Sequence, residues 1–194
     1  VHPSLPAGSI NEFITLAKAR PNEILFASNG EGTIQHLAIA MLSGASGIKV
    51  IHVPHKGGTP AVLATVGGHT QAIITAIPTL LTQVKSSRLR ALAVTSLKRT
   101  SVLPEIPTIA ESGRSDFEAI QWYGIFAPGK TPVAAIRRWS DEVRRTVEIT
   151  SVREALSLEG ADLAANGPEA LAEFQRADIM RWRKVVRDNG IVLR

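Results

Sequence analysis

With 194 residues, of which 44% are hydrophobic and 20% charged, the chain has the balance of a soluble globular protein with one generous domain or two small lobes. It contains no cysteine, which excludes disulfide frameworks and thiolate metal sites, and its most apolar stretches fall far short of the roughly 20 residues a membrane helix needs. The net charge of +5 raises nucleic acid as a partner, but the basic residues of the C-terminal third alternate with Asp141, Glu142, Glu148, Glu154, Glu173 and Asp178. That mixture is the pattern of solvated helix faces, so no nucleic-acid partner is expected.

The chain opens at Val1 without a basic or apolar leader, so any export signal is expected to be already removed. Ser9 and Glu12 form a capping box ahead of a helix with Phe13, Ile14 and Ala17 on one face, closed by Pro21. Glu23 to Ser28 reads as a short strand running into Asn29-Gly30-Glu31-Gly32-Thr33. A helix follows with Ile34, Leu37, Ala38 and Met41 on one face, expected to end at Gly44. Ile48 to Val53 is rich in β-branched residues and reads as a buried strand. It breaks at Pro54-His55-Lys56-Gly57-Gly58, after which Thr59 is expected to cap a short helix with Pro60 at its first position.

Gly67-Gly68 reads as a turn, Gln71 to Thr75 as a strand, Pro78 to Lys85 as a helix and Leu89 to Thr95 as a further strand. This alternation predicts an α/β fold with a mainly parallel sheet flanked by helices. Lys98 to Gly113, with Pro104 and Pro107, reads as an ordered loop with one helical turn at most. Beyond it the pattern becomes helical. Pro132 opens a helix with Ile136, Trp139, Val143 and Val147 on one face. Ser151 and Glu154 suggest a second capping box for a helix ended by Gly160, and a long helix runs from about Pro168 to Asn189, stopped by Gly190. The change of character near Tyr123 predicts that the tail packs on a different lobe.

Two loops could hold a ligand. In Ser28 to His36, glycines at 30 and 32 allow close backbone approach, Ser28 and Thr33 add hydroxyls, and the following helix offers unpaired N–H groups at its positive end. An ordinary glycine-containing loop with Thr33 as cap is the alternative. The second loop, Pro54 to Pro60, repeats the geometry one strand later, and two such helix starts at neighbouring strand ends would face one crevice. Lys56 is either a charge partner for a carboxylate or a solvated lysine. His52 and His55 fall on a strand and a loop rather than one helix face, and a metal site would also want His36 or His69 and a carboxylate close by, so no metal site is expected. There is no Gly-x-Ser-x-Gly elbow, no cysteine and no suitably spaced acid pair, so the chain is not expected to be an enzyme, and no cofactor is expected.

Six segments in order resemble one family. They are Ala27-Ser28-x-Gly30-x-Gly32-Thr33-x-x-His36-Leu37-Ala38, His52-Val53-Pro54-x-Lys56-Gly57, Gly67-Gly68 and Leu89 to Ser96. Then come Arg99-x-x-x-Leu103-Pro104-x-x-Pro107-Thr108-x-x-Glu111-x-Gly113, and Trp122-x-Gly124 with Ala127-Pro128-x-x-Thr131-Pro132. Together they resemble the Bug-type substrate-binding proteins of tripartite tricarboxylate transporters, over essentially the whole chain. The resemblance implies a two-lobed, periplasmic-binding-protein-like α/β receptor that takes a small carboxylate in its cleft and delivers it to membrane permease subunits. It further implies a periplasmic location and a domain division of 1–22 as helical connector, 23–122 as ligand-binding lobe and 123–194 as the helical part of the other lobe. Ser28, Asn29, Gly30, Gly32, Thr33 and His36 are the implied ligand-binding residues of the first loop, with His55, Lys56 and Gly57 beside them and Thr75 on the next stretch. Trp122 is implied to be structural.

The chain departs from the family pattern at His55, where tyrosine is usual, and at Gln71 and Thr75, where acids are frequent. Fewer acids in the pocket wall would favour plain or aromatic carboxylates over amine-bearing ligands. The family's first strand and Gly-rich loop precede the position of Val1, so exposed apolar surface and self-association of this chain are expected. The alternative reading is the effector-binding domain of a transcriptional regulator that senses a small carboxylate.

Overall fold

The computed structural model describes residues 1–191 and divides them into two compact units, Val1–Gln121 together with 185–191, and Trp122–Lys184. In the first unit, β1 (Leu25–Ser28), β2 (Ile51–Pro54) and β3 (Ala72–Ile73) form a parallel sheet in the order β2-β1-β3. Helices α1 (Ile10–Ala19), α2 (Ile34–Ser46), α3 (Gly58–Val66) and α4 (Ile77–Lys85) alternate with the strands. This is the α/β, parallel-sheet architecture that the alternating pattern predicts. The register pairs Leu25 with Ile51, Ser28 with Pro54 and Ala27 with Ile73, so the three strands finish at one edge of the sheet.

The core lies around β1, where Phe26, Ala27 and Ser28 are buried. Phe13 and Ile14 of α1 are buried here, with the Phe13 ring edge-on to Phe26 at 5.7 Å. Residues 1–22, expected as a connector, therefore belong to this unit through Leu5, Ala7, Ile10, Phe13 and Ala17. Ser9 caps α1 by accepting from the Glu12 N–H, while the Glu12 carboxylate accepts from Gly8 N–H at 2.7 Å, one residue before the reciprocal partner of a capping box.

Several expectations need correction. Helix α2 runs through Gly44 and stops at Gly47, which takes the left-handed conformation. Gly44 serves packing instead, because a Cβ there would lie 2.7 Å from the Asn189 side chain. Strand β2 is not buried: it pairs on one side only, as the sheet edge, and Ile51 is 41% exposed. In α3 the cap is Gly57, so Pro60 is the third helical residue; its missing N–H costs nothing there, since the first turn has no intrahelical acceptors. Leu89 to Thr95 forms only an isolated bridge, Val94 to Thr108. Its neighbours pair with it at scattered points, Arg90 N–H to Val1 O and Val94 N–H to Pro107 O, and the prolines flanking those points remove the donors a ladder needs.

The Lys98 to Gly113 segment is a braced loop without a regular helix. The Arg99 Nε–H donates to both Glu111 carboxylate oxygens (3.1 and 2.9 Å), and its guanidinium also reaches Pro104 O at 3.2 Å. Thr108 and Glu111 exchange backbone-to-side-chain bonds of 2.9 Å each. The arginine, proline, threonine and glutamate of this motif hold one another, which is a structural role.

The second unit contains α5 (Val133–Glu148), α6 (Thr150–Leu158) and most of α7 (Pro168–Asp188). The expected Ser151 capping box is absent, because Ile149 is at once the C-cap of α5 and the N-cap of α6 and leaves no room for a capping turn. Trp122 anchors α7: its indole N–H donates to Asp178 at 2.9 Å and its ring meets Phe174 edge-on at 5.4 Å. Neither α5 nor α6 buries any residue.

Candidate functional site

Each strand of the sheet runs directly into a loop and a helix start, so the loops after β1, β2 and β3 gather at one edge. Backbone bonds lock them together. His55 N–H donates to Ser28 O at 3.1 Å, and Gly57 N–H donates to Asn29 O at 3.0 Å. The third loop joins through the Thr75 hydroxyl, which donates to Asn29 Oδ1 at 3.0 Å. Gly30, at φ +141°, is where the first two loop backbones approach closely: a Cβ there would stand 3.2 Å from the His55 carbonyl oxygen. Gly57, at φ +112°, has open space around it, and its conformation alone calls for glycine.

The helix starts differ in a way that bears on ligands. Thr33 caps α2, accepting from His36 N–H and donating to Gly30 O at 2.8 Å. Helices α3 and α4 have no side-chain cap. Pro60 and Pro78 carry no N–H, and Ala61 and Thr79 N–H donate to Gly57 O and Ala76 O, so the N–H groups of Gly58 and Thr59 in α3 and of Ile77 in α4, with the dipole ends behind them, are the ones that suit an anion. Around them stand uncharged donors, Asn29 and Thr75, and an exposed Lys56; the loop acid, Glu31, is also exposed.

The remaining expected residues shape the first loop from beneath. Ser28 is fully buried; its hydroxyl accepts from Gly30 N–H at 3.2 Å and sits 2.6 Å from His52 Nε2. Gly32 N–H donates to His36 Nδ1 at 3.2 Å. The His36 ring stacks on His52 with centroids 3.8 Å apart and planes 7° from parallel. Burial lowers the His52 pKa to about 4, helped by the neighbouring His36 charge and opposed by Glu31. Burial likewise lowers that of His36, again opposed by Glu31. His55 turns its Nε2 into the protein, where it finds no hydrogen-bond partner among the described residues.

Sequence reasoning missed the part played by His52, because no spacing rule ties residue 52 to residues 28 and 36; the sheet register does. It also set Gln71 in the pocket wall. The Gln71 side chain instead accepts from Leu25 N–H at 2.8 Å, at the start of β1 and so at the opposite end of the strand from the loops. Of the two positions where the family pattern is expected to carry acids, Thr75 is the one in the loop cluster, through its bond to Asn29. A separate cavity of about 310 Å³ is lined by His36, Ile39, Ala40, Ser43, Val50, His52 and the turn from Asn189 to Ile191. None of Asn29, Gly30, Lys56, Gly57 or Thr75 lines it, so it is distinct from the loop cluster.

Comparison with known proteins gives a consistent result. A family model described as tripartite tricarboxylate transporter family receptor matches residues 1–191. A UPF0065 protein from the tcbD-tcbE intergenic region of Pseudomonas sp. is 37% identical over 178 residues, covering 91% of this chain and 53% of that protein. Protein BugT of Bordetella pertussis is 33% identical over 193 residues, covering 100% of this chain and 59% of its own length. Among solved structures, an R. palustris protein with adipate superposes with a TM-score of 0.91 at 29% identity, over 99% of this chain and 64% of that one. The periplasmic binding protein BugD does so with a TM-score of 0.84 at 28% identity, over 98% and 64%. The chain thus spans little more than half the length of these curated relatives.

Proposed function

We propose that this chain, which belongs to the tripartite tricarboxylate transporter receptor family, is the part of an extracytoplasmic solute receptor that holds a small carboxylate at the loops following β1, β2 and β3. The observation that carries this reading is the pair of helix starts without side-chain caps, α3 and α4, set beside Asn29 and Thr75 in loops locked by backbone bonds. Such a site needs oriented donors and a fixed shape and performs no chemistry on its ligand. Supporting it are relatives solved with adipate and, in MatC of Rhodopseudomonas palustris, with malate. We assign the first unit as ligand-binding lobe, the second as part of the other lobe, and delivery to the membrane permease of a tripartite transporter in the periplasm as the outcome of binding. With Thr75 uncharged, no acid stands ready at that position for a ligand ammonium group, so a plain carboxylate is favoured over its amino-acid analogue.

Thermal melting against mono-, di-, tricarboxylic and aromatic acids tests this. A ligand at a hundred times its Kd adds about 2.7 kcal/mol, and for a chain of this size that raises the melting temperature by roughly 5–10 °C. A shift with an amino acid and none with its deaminated analogue would overturn the reading.

The second unit bears on assembly. Val133 and Trp139 of α5, Leu158 of α6 and Met180 of α7 are each more than 60% exposed. We assign this apolar surface to self-association of the chain. Light scattering at rising concentration should show dimers or larger species, and Trp139→Glu should reduce them; a monomer at all concentrations would refute the assignment.

A further inference from the structure

The first ligand loop is tied down at two places, and both ties end on an imidazole nitrogen. At one, Ser28 Oγ accepts from Gly30 N–H at 3.2 Å and lies 2.6 Å from His52 Nε2 and 3.2 Å from Gly30 O. At the other, Gly32 N–H donates to His36 Nδ1. His36 Nδ1 accepts, which requires that ring to be neutral with its proton on Nε2. The rings are stacked in van der Waals contact, so a charge on one opposes a charge on the other.

We propose that His36 and His52 act as a paired positioning device that holds the Ser28 to Thr33 loop in its ligand-binding shape while both rings are neutral, and releases it when they become protonated. The inference rests on the reading of that loop as the carboxylate site. Protonation of His36 Nδ1 replaces an acceptor by a donor facing the Gly32 N–H, and that bond is lost. Protonated His52 donates to Ser28 Oγ while the Ser28 hydroxyl donates to Gly30 O, so the disturbance from this ring comes through the repulsion of two stacked cations 3.8 Å apart. Among the described residues, the titratable groups facing the pair are the two rings themselves, on α2 and β2, and Glu31 of the loop, which favours the charged rings. From the cavity side come Ser43 and Asn189, both uncharged.

The lowered pKa values set the window. The unfolded chain takes up protons at its histidines near the ordinary value of 6.5, whereas folded His52 resists down to about 4. The folded loop is therefore secure above about pH 6.5 and loses its advantage progressively as pH falls towards 4.

The test uses the full chain and the double variant His36→Asn with His52→Gln. Asparagine and glutamine keep an acceptor oxygen near Nδ1 and Nε2 respectively but do not titrate. Two readouts are taken between about pH 7 and about pH 4.5, the affinity for adipate by calorimetry and hydrogen exchange at the Gly30 and Gly32 amides without ligand. In the unsubstituted chain the affinity should fall at least about ten-fold more than in the variant, which corrects for protonation of adipate itself. Exchange at both glycines should accelerate relative to the variant at acid pH. Parallel pH profiles for the two proteins would overturn the proposal. If adipate binds neither protein, the carboxylate reading is in question, and the exchange measurement alone decides for or against the histidine pair.

Discussion

Replacing Phe13 by alanine is expected to destabilise the first unit by about 3–5 kcal/mol, the range for truncating a fully buried aromatic residue. The ring is 1% exposed and stands edge-on to Phe26 at 5.7 Å, with an interplanar angle of 77°. Its loss removes both the apolar contact and the favourable edge-to-face arrangement, and leaves a void between α1 and the central strand. Against a typical stability of about 5–15 kcal/mol this is a large fraction, and it should lower the melting temperature by roughly 6–20 °C. The control is Leu63→Ala on the exposed side of α3, where the side chain is 60% exposed and the change should stay within about 0.5 kcal/mol. Calorimetric melts of the two variants decide the matter. A Phe13→Ala cost under about 1 kcal/mol would mean that α1 is not part of the core that carries the site.

Gly30→Ala should damage ligand binding more than any other single methyl group added to the loops. Two costs add here. The backbone conformation at φ +141° is one that side chains other than glycine rarely adopt, worth about 1–3 kcal/mol of strain. The new methyl would also press on the His55 carbonyl at 3.2 Å. That carbonyl cannot retreat freely, since His55 N–H and Gly57 N–H are bonded to Ser28 O and Asn29 O. The loops must separate, and the first turn of α3 moves with them. A loss of at least ten-fold in adipate affinity is expected, equivalent to about 1.4 kcal/mol. Gly113→Ala separates the two costs: Gly113 has φ +93° with nothing within 4 Å, so the strain is present without the collision. It should lower the melting temperature while leaving affinity as it was. If both variants bind equally well, the Gly30 approach has no bearing on the ligand.

The elements that were readable in the sequence are those whose causes are local. Ser9, Phe13, Ile14 and Ala17 specify α1, and α7 follows from Pro168 at its start and Gly190 beyond its end. Gly44 and Ser151 misled for a shared reason. A glycine within a helix or a serine near its start has a local meaning only when nothing else claims the position, and here Asn189 and the shared residue Ile149 do. Leu89 to Thr95 has strand composition, but whether it joins a ladder depends on its neighbours' donors, which include prolines far away in the chain.

Composition, periodicity and loop chemistry were enough to determine an α/β chain with a parallel sheet and two glycine-bearing loops at strand ends, because hydrophobic period, capping and backbone freedom are properties of neighbouring residues. The family followed from motifs in order along the chain, and the family model spans residues 1–191. Tertiary structure decided which residues meet. It made β2 an edge, sent Gln71 to the far end of β1 and buried Ser28 beneath the loop. It also stacked His36 on His52. Each of these depends on the register between strands some 25 to 45 residues apart, in which Phe26 pairs with His52 and with Ala72. A register is set by the packing of the whole sheet, and no local pattern contains it.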